Sequence, residues 1–318
     1  MPNFGSVITG TGKYLPKKVL TNKYFEEIVD TTDEWIVRMT GIKERRVVAP
    51  EQTSADLASL AALSALEKSG LKAEEIELLI IATISNEQRF PSCACKVQKI
   101  IGAKKAFAFD ISAGCTGFLY GLDLANAYIK SGSCRNALII GTEILSRITD
   151  YSDRNTCILF GDGAGAITLE RRDGQSSIIA SKLFSDGEKG KLLFCEKNSA
   201  GKEFLRMEGN VVFKHAVRGM TDSSKLVMEE ANICTEDLKL IIPHQANERI
   251  IRTVAEKLHI PVEKIFMNVA KYGNISSATI PVALAEAVEE DRIKTDDIVL
   301  LTAFGAGLTW GSVLIRWF

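Results

Sequence analysis

The chain nearly repeats itself, and this restricts its fold more tightly than any single motif. Glu77-Leu-Leu-Ile-Ile-Ala-Thr-Ile-Ser-Asn86-Glu87 has the outline of Leu238-Lys-Leu-Ile-Ile-Pro-His-Gln-Ala-Asn247-Glu248, an offset of 161 between Asn86 and Asn247. Ala106-Phe-Ala-Phe-Asp followed by Gly114-Cys115 returns as Ile265-Phe-Met-Asn-Val followed by Gly273-Asn274, offset 159. Ala137-Leu-Ile-Ile-Gly141-Thr returns as Val299-Leu-Leu-Thr-Ala303-Phe, offset 162. Three blocks in one order at nearly one spacing imply two similar halves facing each other across a pseudo-two-fold axis. Corresponding strand ends then bring Cys115, His244 and Asn274 toward one cleft, with Cys115 and Asn274 as symmetry-related positions.

Within each half, short apolar runs alternate with longer amphipathic stretches, the rhythm of βαβ units in an α/β protein with buried central sheets and helices between them. The spacing predicts strands over 78–82, 106–110, 137–140, 164–169, 240–242 and 298–302, and helices over 54–68, 117–130, 248–258 and 280–290. The polar cluster Arg171-Arg-Asp-Gly-Gln175 marks the boundary. The expected halves are 1–172, carrying the nucleophilic cysteine, and 173–318, carrying the histidine and asparagine.

Charge removes several function classes. Thirty-nine Lys and Arg against forty Asp and Glu leave a net charge of -1, so no global basic field favours nucleic acid or an acidic membrane. The apolar runs fall far short of the roughly 20 residues that span a bilayer, and Met1-Pro-Asn-Phe-Gly lacks the charged-then-apolar layout of a signal peptide. A cytoplasmic protein is expected. Seven scattered cysteines, of which only Cys93 and Cys95 are close, support neither a disulfide framework nor a metal site.

Few residues carry reactive chemistry. Cys115, in Ser112-Ala-Gly-Cys-Thr-Gly117, follows an apolar strand and opens a helix, where unpaired amides and the macrodipole favour a thiolate. Most cysteines are small buried hydrophobes, and Cys115 equally fits that description. Of three histidines, His244 ends a buried strand, where α/β folds open onto ligand clefts; a core histidine bonded to backbone is the alternative. His215 and His259 read as helix-face residues. Asn274, at a Gly-rich turn before a helix, is either a cap or a side-chain amide able to donate a fixed hydrogen bond. Phe304-Gly-Ala-Gly307, after the last predicted strand, can present amides to an oxyanion. Phe160-Gly-Asp-Gly-Ala-Gly165 imitates a dinucleotide loop, but no long helix follows it, so it reads as a structural turn.

Taken together, Ala113-Gly-Cys-Thr-Gly-Phe118, Pro243-His-Gln-Ala-Asn247 and Gly273-Asn-Ile-Ser-Ser-Ala278 resemble the active-site blocks of the β-ketoacyl-acyl-carrier-protein synthase III family. The likeness runs nearly end to end, through Asp33-Glu-Trp-Ile-Val37, Phe90-Pro-Ser92, Val212-Phe-Lys214 and Thr309-Trp-Gly-Ser312. It implies the duplicated thiolase fold, a homodimer, and a ping-pong Claisen condensation of an acyl-CoA primer, acetyl-CoA foremost, with malonyl-acyl-carrier protein at the start of fatty acid synthesis. No cofactor is implied, because the CoA thioesters are substrates. By that resemblance Cys115, His244 and Asn274 are catalytic and the amides of Cys115 and Ala306 form the oxyanion hole. Trp35 and Arg154 hold CoA, and Phe90, Leu145, Leu159, Phe160 and Met207 line the acyl pocket, Phe90 reaching that of the partner subunit. Lys214, Arg249, Gln245, Ala246, Asn247 and Lys257 receive the carrier protein. Arg218 and Arg252 could join them or be solvated helix-face residues.

Two positions depart from the family pattern. Met39 stands where the family has arginine, and the neighbouring Arg38 is turned about 100° away on a helix. Ala306 stands where glycine is common. Other readings are a related condensing enzyme (polyketide-type, hydroxymethylglutaryl-CoA synthase or head-to-head acyl-CoA type), a Cys-His-Asn hydrolase, or a non-catalytic subunit, which should lack one of the three polar residues.

Overall fold

The computed structural model describes residues 4–318. Its strands are β1 (Phe4–Tyr14), β2 (Lys18–Thr21), β3 (Glu44–Val47), β4 (Leu78–Ala82), β5 (Phe107–Ile111), β6 (Asn136–Ile144), β7 (Asp162–Asp173), β8 (Ile178–Ser185), β9 (Leu193–Lys197), β10 (Glu203–Met207), β11 (Leu238–Pro243), β12 (Ile298–Gly305) and β13 (Thr309–Arg316). The helices are α1 (Asn22–Glu26), α2 (Asp33–Thr40), α3 (Ser54–Ser69), α4 (Cys93–Ile101), α5 (Gly117–Lys130), α6 (Arg154–Cys157), α7 (Gly209–Ala231), α8 (Glu248–Lys257), α9 (Val269–Tyr272) and α10 (Thr279–Glu289).

The two large sheets are built alike. The first runs β1-β7-β6-β4-β5 and the second β8-β13-β12-β11. In each, the first two contacts are antiparallel and the next is parallel. The position that β5 fills beside β4 is taken beside β11 by a single parallel bridge, Ile241 to Ile265. The 162 offset is also the structural one. Leu78 pairs with Ala137 as Leu240 pairs with Val299, and Ile81 with Ile140 as Pro243 with Thr302.

Strand periodicity distributes the core. Leu78 and Ile80 face one side of β4 and Leu79 and Ile81 the other, because successive side chains alternate across a sheet. The inner faces of both sheets clamp α5 and α10 in one shared core, including Phe118, Leu122, Ile280 and Leu284. Each fully buried side chain of this size contributes about 1.5–3 kcal/mol. The outer face of the first sheet carries α3 and α4, and that of the second α7 and α8. The result is five layers, helix-sheet-helix-sheet-helix. α3 starts at a capping box in which Thr53 and Asp56 satisfy each other's backbone amides, and Pro281 sits in the first turn of α10, where no N–H is required.

Four expectations need correction. The position related to Cys115 is Ser277, not Asn274: the short turns Gly114–Thr116 and Ser276–Ala278 precede α5 and α10 at offset 162, and both begin with a left-handed residue, Gly114 at φ 55° and Ser276 at φ 47°. Residues 160–165 are not a turn but lead into and begin β7; Gly165 admits α10, since a methyl there would lie 2.6 Å from the Val282 nitrogen. The strand at 298–302 runs on to Gly305, so Phe304 and Gly305 are paired strand residues and 306–308 form the hairpin turn to β13. His259 lies past the end of α8 at φ 55°, not on a helix face.

Candidate active site

The turn before α5 lifts Cys115 from the sheet ends into a cleft of about 940 Å³. Gly114 permits this, because its φ is left-handed and a side chain there would strike the Ala306 nitrogen at 2.7 Å. Gly305 packs as closely from the other side: a methyl on it would lie 2.4 Å from the Cys115 nitrogen. The Cys115 and Ala306 backbones are therefore held side by side at the cleft floor. The thiol is partly open to the cleft. Burial nevertheless pushes its pKa up to about 12, opposed by Ser276 and by its own amide. Desolvation opposes the thiolate that the helix start favours.

Asn274 and His244 converge on the same cleft. The Ser276 N–H donates to Asn274 Oδ1 at 2.8 Å, which fixes the amide so that its NH₂ remains free to donate. His244 is delivered by the end of β11, its N–H donating to the Thr302 carbonyl at 2.8 Å. Its Nδ1 lies 2.6 Å from Thr279 Oγ1, which lies 2.9 Å from the Ser276 carbonyl. One hydroxyl proton serves one of these acceptors. Donated to Nδ1, it leaves Nε2–H as a donor for the cleft; donated to the Ser276 carbonyl, it leaves Oγ1 accepting from Nδ1–H and Nε2 an acceptor. Burial lowers the imidazole pKa to about 3, so the ring is neutral across the physiological range.

Beneath the related turn lies Glu143, fully buried on β6. Its Oε2 accepts from Ser85 Oγ (2.6 Å), the Ile84 amide (3.2 Å) and Thr83 Oγ1 (3.4 Å), and Oε1 lies 2.9 Å from Ser277 Oγ. Ser277 Oγ also lies 2.8 Å from the Ala82 carbonyl. Burial raises the carboxyl pKa. The Ser277 hydroxyl is thus held between the Glu143 carboxyl and the Ala82 carbonyl.

Of the other expected residues, Trp35, Leu145, Leu159, Phe160, Met207, Lys214, Ala246, Asn247 and Arg249 line the cleft. Leu145, Leu159, Phe160 and Met207 fall in one apolar cluster with Ile148, Leu193 and Leu205. The Arg154 guanidinium stacks on the Trp35 ring at 4.4 Å. Met39 lines the cleft and Arg38 does not; Arg249 Nη1 reaches Met39 Sδ at 3.9 Å. Lys257 lies in a second groove of about 560 Å³ with Lys214, Arg218 and Lys225, between α7 and α8. Arg252 is tied to Glu248 at 2.6 Å.

Gln245 is placed elsewhere. It is 1% exposed, donates to the Pro243 and Phe266 carbonyls and accepts from the Asn268 and Val269 amides, so it fastens the loop and presents nothing to a partner. Asn247 caps α8 through the Arg249 amide while facing the cleft. Phe90 stands 85% exposed, outside this chain's cleft. Sequence reasoning missed Glu143, Ser276, Ser277 and Thr279. Only Glu143 left a signal, as the lone charge in an otherwise uncharged strand.

Comparison with known proteins identifies the family and its fold. Residues 109–187 match the family described as 3-oxoacyl-[acyl-carrier-protein] synthase III, and residues 228–317 match its C-terminal family. The chain is 50% identical to the β-ketoacyl-[acyl-carrier-protein] synthase III of Aquifex aeolicus, covering 98% of this chain and all of that one, and 48% identical to that of Desulfotalea psychrophila, covering 98% and 99%. The solved Aquifex aeolicus structure superposes with a TM-score of 0.95 over the same coverage at 50% identity. The priming β-ketosynthase of the R1128 polyketide pathway gives 0.95 at 31% identity, covering 100% and 98%. This chain belongs to the β-ketoacyl-acyl-carrier-protein synthase III family, whose thiolase fold accounts for its two matched halves.

Proposed function

We propose that this enzyme, a condensing acyltransferase acting at the start of fatty acid synthesis, joins an acyl-CoA primer to malonyl-acyl-carrier protein through an acyl-Cys115 intermediate. The observation that carries the assignment of residues is the convergence of Cys115, His244, Asn274 and the Ala306 backbone on one cleft. The Cys115 sulfur attacks the primer thioester, and the Cys115 and Ala306 amides hold the tetrahedral oxyanion. The C–S bond to CoA breaks, and CoA leaves with the proton that Cys115 lost. Malonyl-carrier protein then loses carbon dioxide, and the electron pair of the broken C–C bond collects on its thioester oxygen. Neutral His244, through Nε2–H, and the Asn274 NH₂ hydrogen-bond that oxygen. The carbanion attacks the acyl carbon, expelling the Cys115 thiolate and releasing 3-oxoacyl-carrier protein.

In this reading Trp35 and Arg154 take the CoA adenine, although they now stack on each other, and the Leu145–Phe160–Met207 cluster takes the acyl chain. Lys214, Arg249 and Lys257 meet the acidic carrier protein along the cleft mouth and adjoining groove. The enzyme works as a cytoplasmic homodimer without a cofactor. Support for the dimer comes from β5, which among the described residues pairs only with β4 and leaves Phe107 42% exposed. A strand edge left unpaired beside an exposed aromatic invites a second copy. Asp110 accepts from the Cys93 and Ala94 amides and ties the loop bearing Phe90 to this edge.

Intact-protein mass spectrometry with a panel of acyl-CoAs, peptide mapping and then malonyl-carrier protein tests the reaction. The expected outcome is an adduct on Cys115 that is discharged as 3-oxoacyl-carrier protein. An adduct that only hydrolyses, or that malonyl-CoA alone discharges, would overturn it.

A further inference from the structure

Glu286 sits on α10 between Ala285 and Ala287, in a helix that is otherwise apolar through its middle. It is 5% exposed and does not line the cleft. A buried carboxylate is costly unless donors meet it. Three donors do. Oε2 accepts from Asn268 Nδ2 at 2.9 Å, Oε1 accepts from the Tyr272 hydroxyl at 2.5 Å, and Lys13 Nζ on β1 lies 3.3 Å from Oε1. Asn268 is the N-cap of α9 and Tyr272 its last residue, so one carboxylate grips this four-residue helix at both ends.

Helix α9 is the strut between His244 and Asn274. On one side the Asn268 and Val269 amides donate to Gln245 Oε1 at 2.9 and 3.2 Å, and Gln245 adjoins His244 in the chain. On the other side α9 runs into Gly273, at φ 63°, and then Asn274. A helix this short makes too few internal hydrogen bonds to fix itself, so its place is set by what grips it. The same face of α10 also holds His244 directly. Thr279, whose Oγ1 lies 2.6 Å from His244 Nδ1, stands two turns before Glu286, about 10 Å away along the helix and within about 20° around it. We infer that Glu286 is a positioning residue: through Asn268 and Tyr272 it holds α9 so that His244 and the Asn274 amide converge on one oxygen.

The inference rests on the proposal above that these two residues hydrogen-bond the thioester oxygen of the malonyl group. Two donors aimed at one oxygen must be placed relative to each other within a fraction of an ångström, and a misplacement of about 1 Å can cost on the order of 10²-fold in rate. Acylation of Cys115 uses the Cys115 and Ala306 amides, which α9 does not carry. Glu286 therefore acts in the second half-reaction and leaves the first alone.

The test uses Glu286→Gln and Tyr272→Phe in the full-length enzyme, at a temperature where circular dichroism shows each variant folded. Glu286→Gln keeps the volume but turns one acceptor oxygen into a donor, so Asn268 or Tyr272 loses its acceptor. Tyr272→Phe removes one hydroxyl and decides the matter by itself if the first variant does not fold. Acylation of Cys115 by acyl-CoA should stay within about twofold of wild type, while single-turnover condensation of the pre-acylated enzyme slows about tenfold in Glu286→Gln and about threefold in Tyr272→Phe. KM for malonyl-carrier protein should be unchanged. With Asn274 already replaced by alanine, Glu286→Gln should cost no more than about twofold further, because a single donor has no second one to be aligned with. Acylation and condensation that fall alike, or that both match wild type, overturn the inference, and so does a full tenfold loss in the Asn274→Ala background. Failure of the proposed function shows without these variants: Asn274→Ala alone then condenses at the wild-type rate, and the inference falls with it.

Discussion

The turns before α5 and α10 have nearly the same backbone and opposite fates. In the first, Cys115 faces the end of β11, where His244 stands, and Gly305 opposite it has no side chain to fill the space. In the second, Ser277 occupies the matching place, the position of His244 is Ala82, and the position of Gly305 is Glu143. Ser277 is locked between the Ala82 carbonyl and the Glu143 carboxyl and is 1% exposed. A duplicated scaffold has made one turn a reacting centre by leaving room around it and the other an anchor by filling that room with hydrogen bonds. Structural symmetry thus identifies where a side chain is held, and its neighbours decide what it does.

The sharpest break of this comparison is Cys115→Ala set against Ser277→Ala. The first should abolish the acyl adduct and lower condensation by roughly 10⁴-fold or more, while the second keeps the adduct and loses about 1–3 kcal/mol of stability from unpaired buried groups. Intact mass and urea unfolding measure the two. Adduct formation without Cys115 would end the distinction. Next comes the division of labour within the cleft: His244→Ala and Asn274→Ala should still acylate Cys115 but lose about 10²–10³ in condensation, read by single turnover of the pre-acylated enzyme.

Exchanging the two fillers is gentler. Gly305→Ala sets a methyl against the Cys115 backbone and should depress acylation more than melting temperature. Glu143→Ala should do the reverse, costing about 2–4 kcal/mol because Ser85, Ile84, Thr83 and Ser277 lose an acceptor. A calorimetric scan beside an acylation assay separates them. The smallest effect is a pH limb. The native His244 pKa is near 3, so between that value and the unfolded value of about 6.5 the unfolded chain binds a proton that the native chain refuses. Stability therefore falls as pH drops through that window, by about 2 kcal/mol at pH 5, and is free of this loss above pH 6.5. Replacing His244 with asparagine should flatten that limb in urea titrations.

What the sequence determined by itself were the features that periodicity and local chemistry encode. β4, β6 and β12 are apolar runs that fit buried strands, and α3 and α5 were legible from spacing to within a residue. The repeat exposed the two-fold plan, and Cys115, His244 and Asn274 were visible as polar residues at strand ends and Gly-rich turns. Tertiary structure decided which positions are equivalent, because loops of unequal length shift the apparent offset and made Asn274 look like the counterpart of Cys115 in place of Ser277. It also decided that Gln245 is buried, that burial raises the Cys115 pKa and that the Ser276 hydroxyl has no partner among the described residues. Desolvation and hydrogen-bond satisfaction depend on groups that meet from distant parts of the chain, so they come into existence only when the two halves close on one another.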